Sequence, residues 1–248
     1  MITRAVLLAA GEGSRLRAVE PIKPLCPVGG VPLIAHALRG LAAAGISQVA
    51  VVLGYEAKAI ATYLDANAWP LEVEQVVVGD WRLPNGVSAL AGLARVGAPS
   101  LLAMCDHLVD PALYARLAQT GAGAGLTLGI DRHLDDPGVD LDDVTRVATR
   151  GDRIVAIGKG LVVYDAFDTG VFAVAEPFVA ALRAMPAPSV SAAVTLLAAE
   201  ARAGVVNCGD LSWIDVDDAP ALRAAERALA GRAWIPVDNS RQVLASNA

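Results

Sequence analysis

The sequence predicts an α/β fold: a mixed central sheet covered by helices on both faces, with a smaller antiparallel part framing a pocket. Short β-rich apolar runs alternate with alanine-rich helical stretches through the first hundred residues, the rhythm of a parallel sheet. From residue 126 onward, strand candidates are separated by turns such as Gly151-Asp152 instead of helices, which suits antiparallel pairing. No internal repeat divides the 248 residues. One domain over 1–230 is therefore expected, with 231–248 as a tail or the start of a linker.

In order, the pattern gives a strand at 5–9, a helix at 33–44, a strand at 49–53, a helix at 57–64 and a strand at 73–78. A helix at 88–95 leads to a central strand at 101–104, which ends at Cys105-Asp106-His107. Asp110 before Pro111 reads as the cap of the next helix. Strands come next at 126–130, 144–149, 154–157 and 171–174, then helices at 177–184 and 192–203. Short strands near Val205 and Ile214 precede a last helix at 219–230. Beyond it, Trp234-Ile235-Pro236-Val237 is apolar and the remainder polar.

Composition narrows the function classes. Hydrophobic residues make up 55% of the chain and the mean hydropathy is +0.49, but alanine inflates both and charges interrupt the apolar runs. No stretch approaches the roughly 20 apolar residues of a spanning helix. Residues 1–10 place a charge before an apolar run, yet the run is short for a signal peptide and Gly11-Glu12-Gly13-Ser14-Arg15 stands where cleavage would fall; a buried first strand is expected instead. Cys26, Cys105 and Cys208 are odd in number and lack metal-ligand spacing, which fits a reducing cytoplasm. A net charge of −6 offers no broad basic surface for nucleic acid, so an anionic ligand must be held by a few local cations and backbone amides.

The most informative segment comes directly after the first strand: Leu8-Ala9-Ala10-Gly11-Glu12-Gly13-Ser14-Arg15-Leu16. Small residues admit a polyphosphate close to the backbone, and Arg15 adds a forked donor. A dinucleotide-binding turn would need a third glycine where Leu16 stands and an acidic residue about 20 positions on. Neither is present, which argues against a nicotinamide cofactor. Downstream, Glu20-Pro21-Ile22-Lys23-Pro24-Leu25 holds Lys23 on a proline-stiffened loop, so less entropy is lost in aiming its ammonium at phosphate.

Together with Lys23-Pro24-Leu25 and Gly29-Gly30-Val31-Pro32-Leu33-Ile34, this loop resembles the signature of the sugar-phosphate nucleotidyltransferase superfamily. The resemblance implies a single Rossmann-like nucleotidyltransferase domain of the GT-A-like type. The first loop would wrap a nucleoside triphosphate and Lys23 would contact its phosphates. It also implies Mg²⁺ held by Asp106, at the carboxyl end of a parallel strand, and by Asp215 of Trp213-Ile214-Asp215-Val216-Asp217-Asp218, with Asp217 as a second candidate there. Alternation points Asp215 and Asp217 to one face, while Asp217 or Asp218 is an equally good cap for the last helix. Base recognition would fall to the loop and to Asn85-Gly86-Val87-Ser88, chiefly Asn85, Gly86 and Ser88.

Further blocks are similar to the CTP:inositol-1-phosphate cytidylyltransferase branch and to the cytidylyltransferase domain of phosphonate-pathway enzymes. With Asn85-Gly86-Val87-Ser88, they are Met104-Cys105-Asp106-His107, residues 151–159, Phe167-Asp168-Thr169-Gly170-Val171-Phe172 and the Asp215 segment. The resemblance implies CTP as donor and a small phosphate or phosphonate acceptor, with neither nucleic acid nor membrane as partner and room for fusion to a second enzymatic domain. His107, Lys159, Asp168, Thr169 and Gly170 are the acceptor-site candidates; Arg132 and His133 are weaker ones. The aspartate-rich stretch 131–143 does not align securely. Two rivals are a sugar-1-phosphate uridylyl- or thymidylyltransferase and a non-catalytic nucleotide sensor, the latter disfavoured by the joint presence of Arg15, Lys23, Asp106 and Asp215.

Overall fold

In the computed structural model, which describes residues 1–17, 19–136 and 138–231, the chain is built on one nine-stranded sheet. The first half runs β1 (Arg4–Ala9), a 3-10 turn (Lys23–Leu25), the ribbon β2 (Pro27–Val28) and β3 (Val31–Pro32), α1 (Leu33–Ala43), β4 (Gln48–Leu53), α2 (Ala57–Asp65), β5 (Glu72–Val77), α3 (Asn85–Val96), β6 (Ser100–Met104), β7 (His107–Val109) and α4 (Pro111–Thr120). The second half runs β8 (Leu126–Asp131), β9 (Arg146–Arg150), β10 (Arg153–Gly158), β11 (Ala166–Val174), α5 (Glu176–Arg183), α6 (Val190–Ala199), β12 (Ala203–Asn207), β13 (Trp213–Asp215) and α7 (Ala219–Gly231). The segment Trp234-Ile235-Pro236-Val237 lies outside the described residues.

Strands β5, β4, β1 and β6 are parallel neighbours; the apolar runs of β4, β1 and β6 are buried on both faces, whereas β5, at the sheet edge, buries only Val76. Successive side chains alternate between two cores. Leu7, Val51 and Leu53 pack with Ile34, Leu38, Leu113 and Leu117 of α1 and α4. Val6, Val52 and Leu102 pack with Leu93, Phe178 and Val194 of α3, α5 and α6. At about 1.5–3 kcal/mol for each large apolar side chain buried, these two layers fix the strand ends from which the site is built.

Beyond β6 the sheet reverses: β11 pairs antiparallel with β6 and with β8. The second half is not purely antiparallel, because β12 lies parallel to β8 in register Ala203↔Leu126 to Asn207↔Ile130. Strand β9 pairs with both β10 and β11, so β11, β8, β12, β10 and β9 return on themselves. A separate ribbon joins β7 to β13, with Asp215 opposite His107.

Several boundaries shift from the expected ones. Helix α3 starts at Asn85, not Ser88, because Pro84 stands in the extended conformation as its N-cap. Helix α6 ends at Ala199; Ala201 is left-handed at φ 57° and Ala203 already belongs to β12. Asp110 accepts from the Ala112 amide at 2.9 Å and caps α4 as expected. Cys26, Cys105 and Cys208 are buried and unpaired. Among the described residues no helix is long and apolar enough to cross a membrane.

Candidate active site

Strands β1 and β6 pair side by side, so the segments leaving their carboxyl ends emerge at the same edge of the sheet. The Cys105 amide donates to the Leu8 carbonyl at 3.0 Å, which sets Asp106 beside the start of the loop. Leu8 and Ala9 finish β1, and the Ala10 carbonyl accepts from the Tyr55 amide at 2.9 Å. The loop proper is thus Gly11 to Arg15, with Gly11, Ser14 and Arg15 exposed and Glu12 paired to Arg17. Gly13 is required at its position: φ is +59°, and a Cβ there would stand 2.6 Å from the Cβ of Lys23.

Lys23 is only 5% exposed, and its side chain runs past Gly13 to three carboxylates. Its Nζ donates to Asp106 Oδ2 at 2.8 Å and to Asp217 Oδ1, and stands 3.6 Å from Asp215 Oδ1. Burial works against the ammonium, but the three aspartates outweigh it and hold Lys23 well above the ordinary lysine range. Asp215 and Asp217 share one side of their segment as alternation requires, with Val216 fully buried between them. Asp218, not Asp217, caps α7, accepting from the Ala221 amide at 2.8 Å.

Arg15 bridges Asp217 and Asp143, and Lys159 reaches Asp143 from the other side. Asp143 is a site residue that the sequence pattern does not single out. It sits in the aspartate-rich stretch that does not align, and no local motif marks it. Its carboxyl is held below the usual range: burial opposes this, but Lys159 and Arg15 prevail. Burial, together with neighbouring Asp215 and Asp106, pushes Asp217 up to about 6 despite Lys23.

His107 fills the other side of the cluster. Its Nδ1 donates to the Thr169 carbonyl at 2.9 Å, and its ring stacks on Trp213 with centroids 5.9 Å apart. Trp213 is held in turn by its Nε1 donating to the buried Asp131 at 2.9 Å. Burial disfavours a charged His107, yet Asp215 and Asp106 raise it to about 10. Gly170, at φ +76°, leaves the space the ring uses; a Cβ there would be 2.4 Å from Nδ1.

Two expected site features need correction. Asp168-Thr169-Gly170 does not precede the strand expected at 171–174 but lies inside β11, at an irregularity where the register shifts between Asp168 and Phe172. Thr169 is completely buried and its hydroxyl donates to the Gly129 carbonyl at 2.8 Å, so it supports the bulge and has no free hydroxyl for an acceptor. Asp168 does face the cleft, and burial lifts its carboxyl to about 6. Asn85 also lines the cleft while its Oδ1 accepts from the Val190 amide at 3.0 Å; Gly86 packs against Pro188 and Ser88 is buried in α3.

These groups border a cleft of about 700 Å³ that brings Arg15, Asp106, Lys159, Asp168, Gly170 and Asp215 together. Among the described residues, two sets of side chains offer donor atoms close enough to hold a metal ion: Asp106, His107 and Asp215, and Asp143, Asp215 and Asp217. The donors suit a hard divalent cation, and Asp215, common to both sets, carries a buried Oδ1 without a hydrogen-bond partner.

Residues 5–136, more than half of the chain, match the family described as the MobA-like NTP transferase domain. The chain belongs to that family. The nucleotidyltransferase resemblance carried by the loop, Lys23 and Asp106 is thereby borne out for this NTP transferase domain. The bifunctional IPC transferase and DIPP synthase of Rubrobacter xylanophilus is 33% identical over 244 residues, covering 96% of this chain and 54% of its own. The CMP-5'-(3-aminopropyl)phosphonate synthase of Streptomyces rubellomurinus is 36% identical over 121 residues, 46% of this chain and 19% of its own. Among solved structures, the inositol-1-phosphate CTP transferase from T. maritima superposes with a TM-score of 0.81 at 21% identity, covering 91% of this chain and 94% of that one. The chain spans about half the length of the IPC transferase relatives it matches.

Proposed function

We propose that this domain transfers CMP from CTP to the phosphate or phosphonate of a small hydroxylated acceptor, inositol-1-phosphate or 2-hydroxyethylphosphonate, with release of pyrophosphate. The observation that carries the reading is the convergence of Asp106, Asp215 and Asp217 on the buried Lys23, directly beside the loop that ends at Arg15. The names of the relatives, which specify IPC and CMP-phosphonate chemistry, support cytidylyl transfer over other nucleotides. The phosphonate acceptor rests on the more partial of the two matches. Because the IPC relatives are bifunctional and about twice as long, we equate this chain with one of their two activities. The buried, unpaired thiols are in keeping with a cytoplasmic setting.

In this reaction an acceptor oxygen, already ionised near neutral pH, attacks the α-phosphorus in line. The bond from that phosphorus to the bridging oxygen breaks, and pyrophosphate leaves with the electron pair. No general base is needed. Lys23 is assigned to the α-phosphate and Arg15 to the leaving phosphates, where fixed cations stabilise accumulating negative charge. Gly11 to Ser14 are assigned to the triphosphate through their backbone amides, and Asn85 at the head of α3 is assigned to the base edge. Lys159, which lines the cleft with Asp168 and Gly170 and shares Asp143 with Arg15, is assigned to the acceptor. Asp106 and Asp215, with Asp217 as a further candidate, would hold Mg²⁺, which when bound supplies charge neutralisation and alignment of the phosphates.

The test is pyrophosphate release from each of CTP, UTP, dTTP, ATP and GTP against a panel of acceptors. CTP with inositol-1-phosphate or 2-hydroxyethylphosphonate is expected to be fastest. Faster release from UTP or dTTP with a sugar-1-phosphate would replace the cytidylyl reading. Nucleotide binding without release from any pair would indicate a sensor.

A further inference from the structure

The geometry points to His107 as a third protein donor to the divalent ion, which makes the centre a mixed nitrogen–oxygen site instead of an all-carboxylate one. The inference rests on the metal-dependent reading above and adds to it a ligand and a metal preference.

The ring is held as a ligating imidazole is held. A carbonyl can only accept, so the 2.9 Å contact to Thr169 keeps a proton on Nδ1 and makes Nε2, which faces the carboxylates, the nitrogen that gives up its proton to a metal ion. Metal-binding histidines characteristically donate their other ring N–H in this way, which fixes tautomer and orientation. The Trp213 stack and the space left by Gly170 hold the ring plane. Nε2 stands 3.5 Å from Asp215 Oδ2 and 3.9 Å from Asp106 Oδ1, too far for good hydrogen bonds. Two ligands each about 2.1 Å from a shared ion stand roughly 3.0–3.5 Å apart, so these separations need to contract only slightly around a cation.

The carboxylates divide their oxygens between two partners. Lys23 takes Asp106 Oδ2 and approaches Asp215 Oδ1, whereas His107 faces Asp106 Oδ1 and Asp215 Oδ2. An ion on the His107 side therefore leaves the Lys23–Asp106 contact in place. Lysine and metal act together on opposite edges of the same two carboxylates. An imidazole nitrogen favours later first-row divalent ions more than Mg²⁺, which prefers oxygen. The chain is accordingly expected to bind Mn²⁺ and Co²⁺ more tightly than Mg²⁺, by a margin that depends on His107.

The experiment adds Mn²⁺ alone to the whole chain and reads nitrogen coupling by pulsed electron paramagnetic resonance. Co²⁺ and Mg²⁺ affinities are measured in parallel on wild type and on His107→Asn. The asparagine amide can keep the donation to Thr169 while removing the Nε2 donor. Wild type is expected to show coupling to one imidazole nitrogen. The variant is expected to lose that coupling and to bind Mn²⁺ and Co²⁺ about tenfold or more weakly, with a much smaller change for Mg²⁺. Bound Mn²⁺ without nitrogen coupling overturns the His107 assignment and leaves a carboxylate site standing. Failure of wild type to bind any of the three ions overturns both this inference and the metal-dependent reaction. The wild-type spectrum decides the matter even if the variant does not fold.

Discussion

Changing Asp106 to Asn is expected to slow pyrophosphate release by at least about a hundred- to a thousandfold, the range typical when one fixed electrostatic contact to a developing charge is lost. The substitution keeps the shape of the side chain and removes its charge from a position that serves both Lys23 and the inferred metal. Its structural cost is small: Asp217 still binds Lys23, and a partly exposed ion pair contributes about 0–1 kcal/mol. Cooperative thermal unfolding near the wild-type midpoint is therefore expected alongside the lost turnover. Near-normal activity in a folded Asp106→Asn chain would remove Asp106 from the centre.

Lys23→Met is expected to be as damaging to the rate and more damaging to the fold. Lys23 is the cation on which Asp106, Asp215 and Asp217 converge, and methionine fills similar space past Gly13 without a charge. Removing one partner from a fully buried ion pair costs about 3–5 kcal/mol. Here the carboxylates are partly open to the cleft and can recruit water, so a loss nearer ~2 kcal/mol in denaturant unfolding is expected. Magnesium is expected to stabilise the variant more than wild type, because the three carboxylates then keep their negative charge without Lys23 to neutralise it. Equal stabilisation of both by magnesium, or turnover within a few-fold of wild type, would show that Lys23 is not central to this cluster.

Much of this centre is legible in the amino-acid sequence because its members fall at strand ends that apolar patterning reveals. The run ending at Ala9 places the loop, the run ending at Met104 places Asp106, and alternation around Val216 puts Asp215 and Asp217 on one side. The remainder depends on contacts between distant segments. Asp143 lies in a stretch without periodicity and joins the site through contacts with the distant Arg15 and Lys159. The Asp131–Trp213–His107 chain spans three segments, and neither its hydrogen bond nor its stack leaves a local pattern. Asp168-Thr169-Gly170 carries the residue types of a turn, and a bulged strand with a left-handed glycine uses the same types. The parallel seating of β12 on β8 likewise depends on where α6 returns the chain, and the alanines at 198, 199, 201 and 203 mark no boundary between helix and strand.

The central claim is that the triphosphate of CTP lies across the Gly11–Arg15 turn with its phosphates between Lys23 and the Asp106–Asp215 pair. A crystal structure of the chain grown with CTP and magnesium tests it directly. Phosphate density within hydrogen-bonding distance of Lys23 and the loop amides, and an ion shared by Asp106 and Asp215, is the expected result. Nucleotide bound away from the loop, with Asp106 and Asp215 liganding no ion, would contradict it.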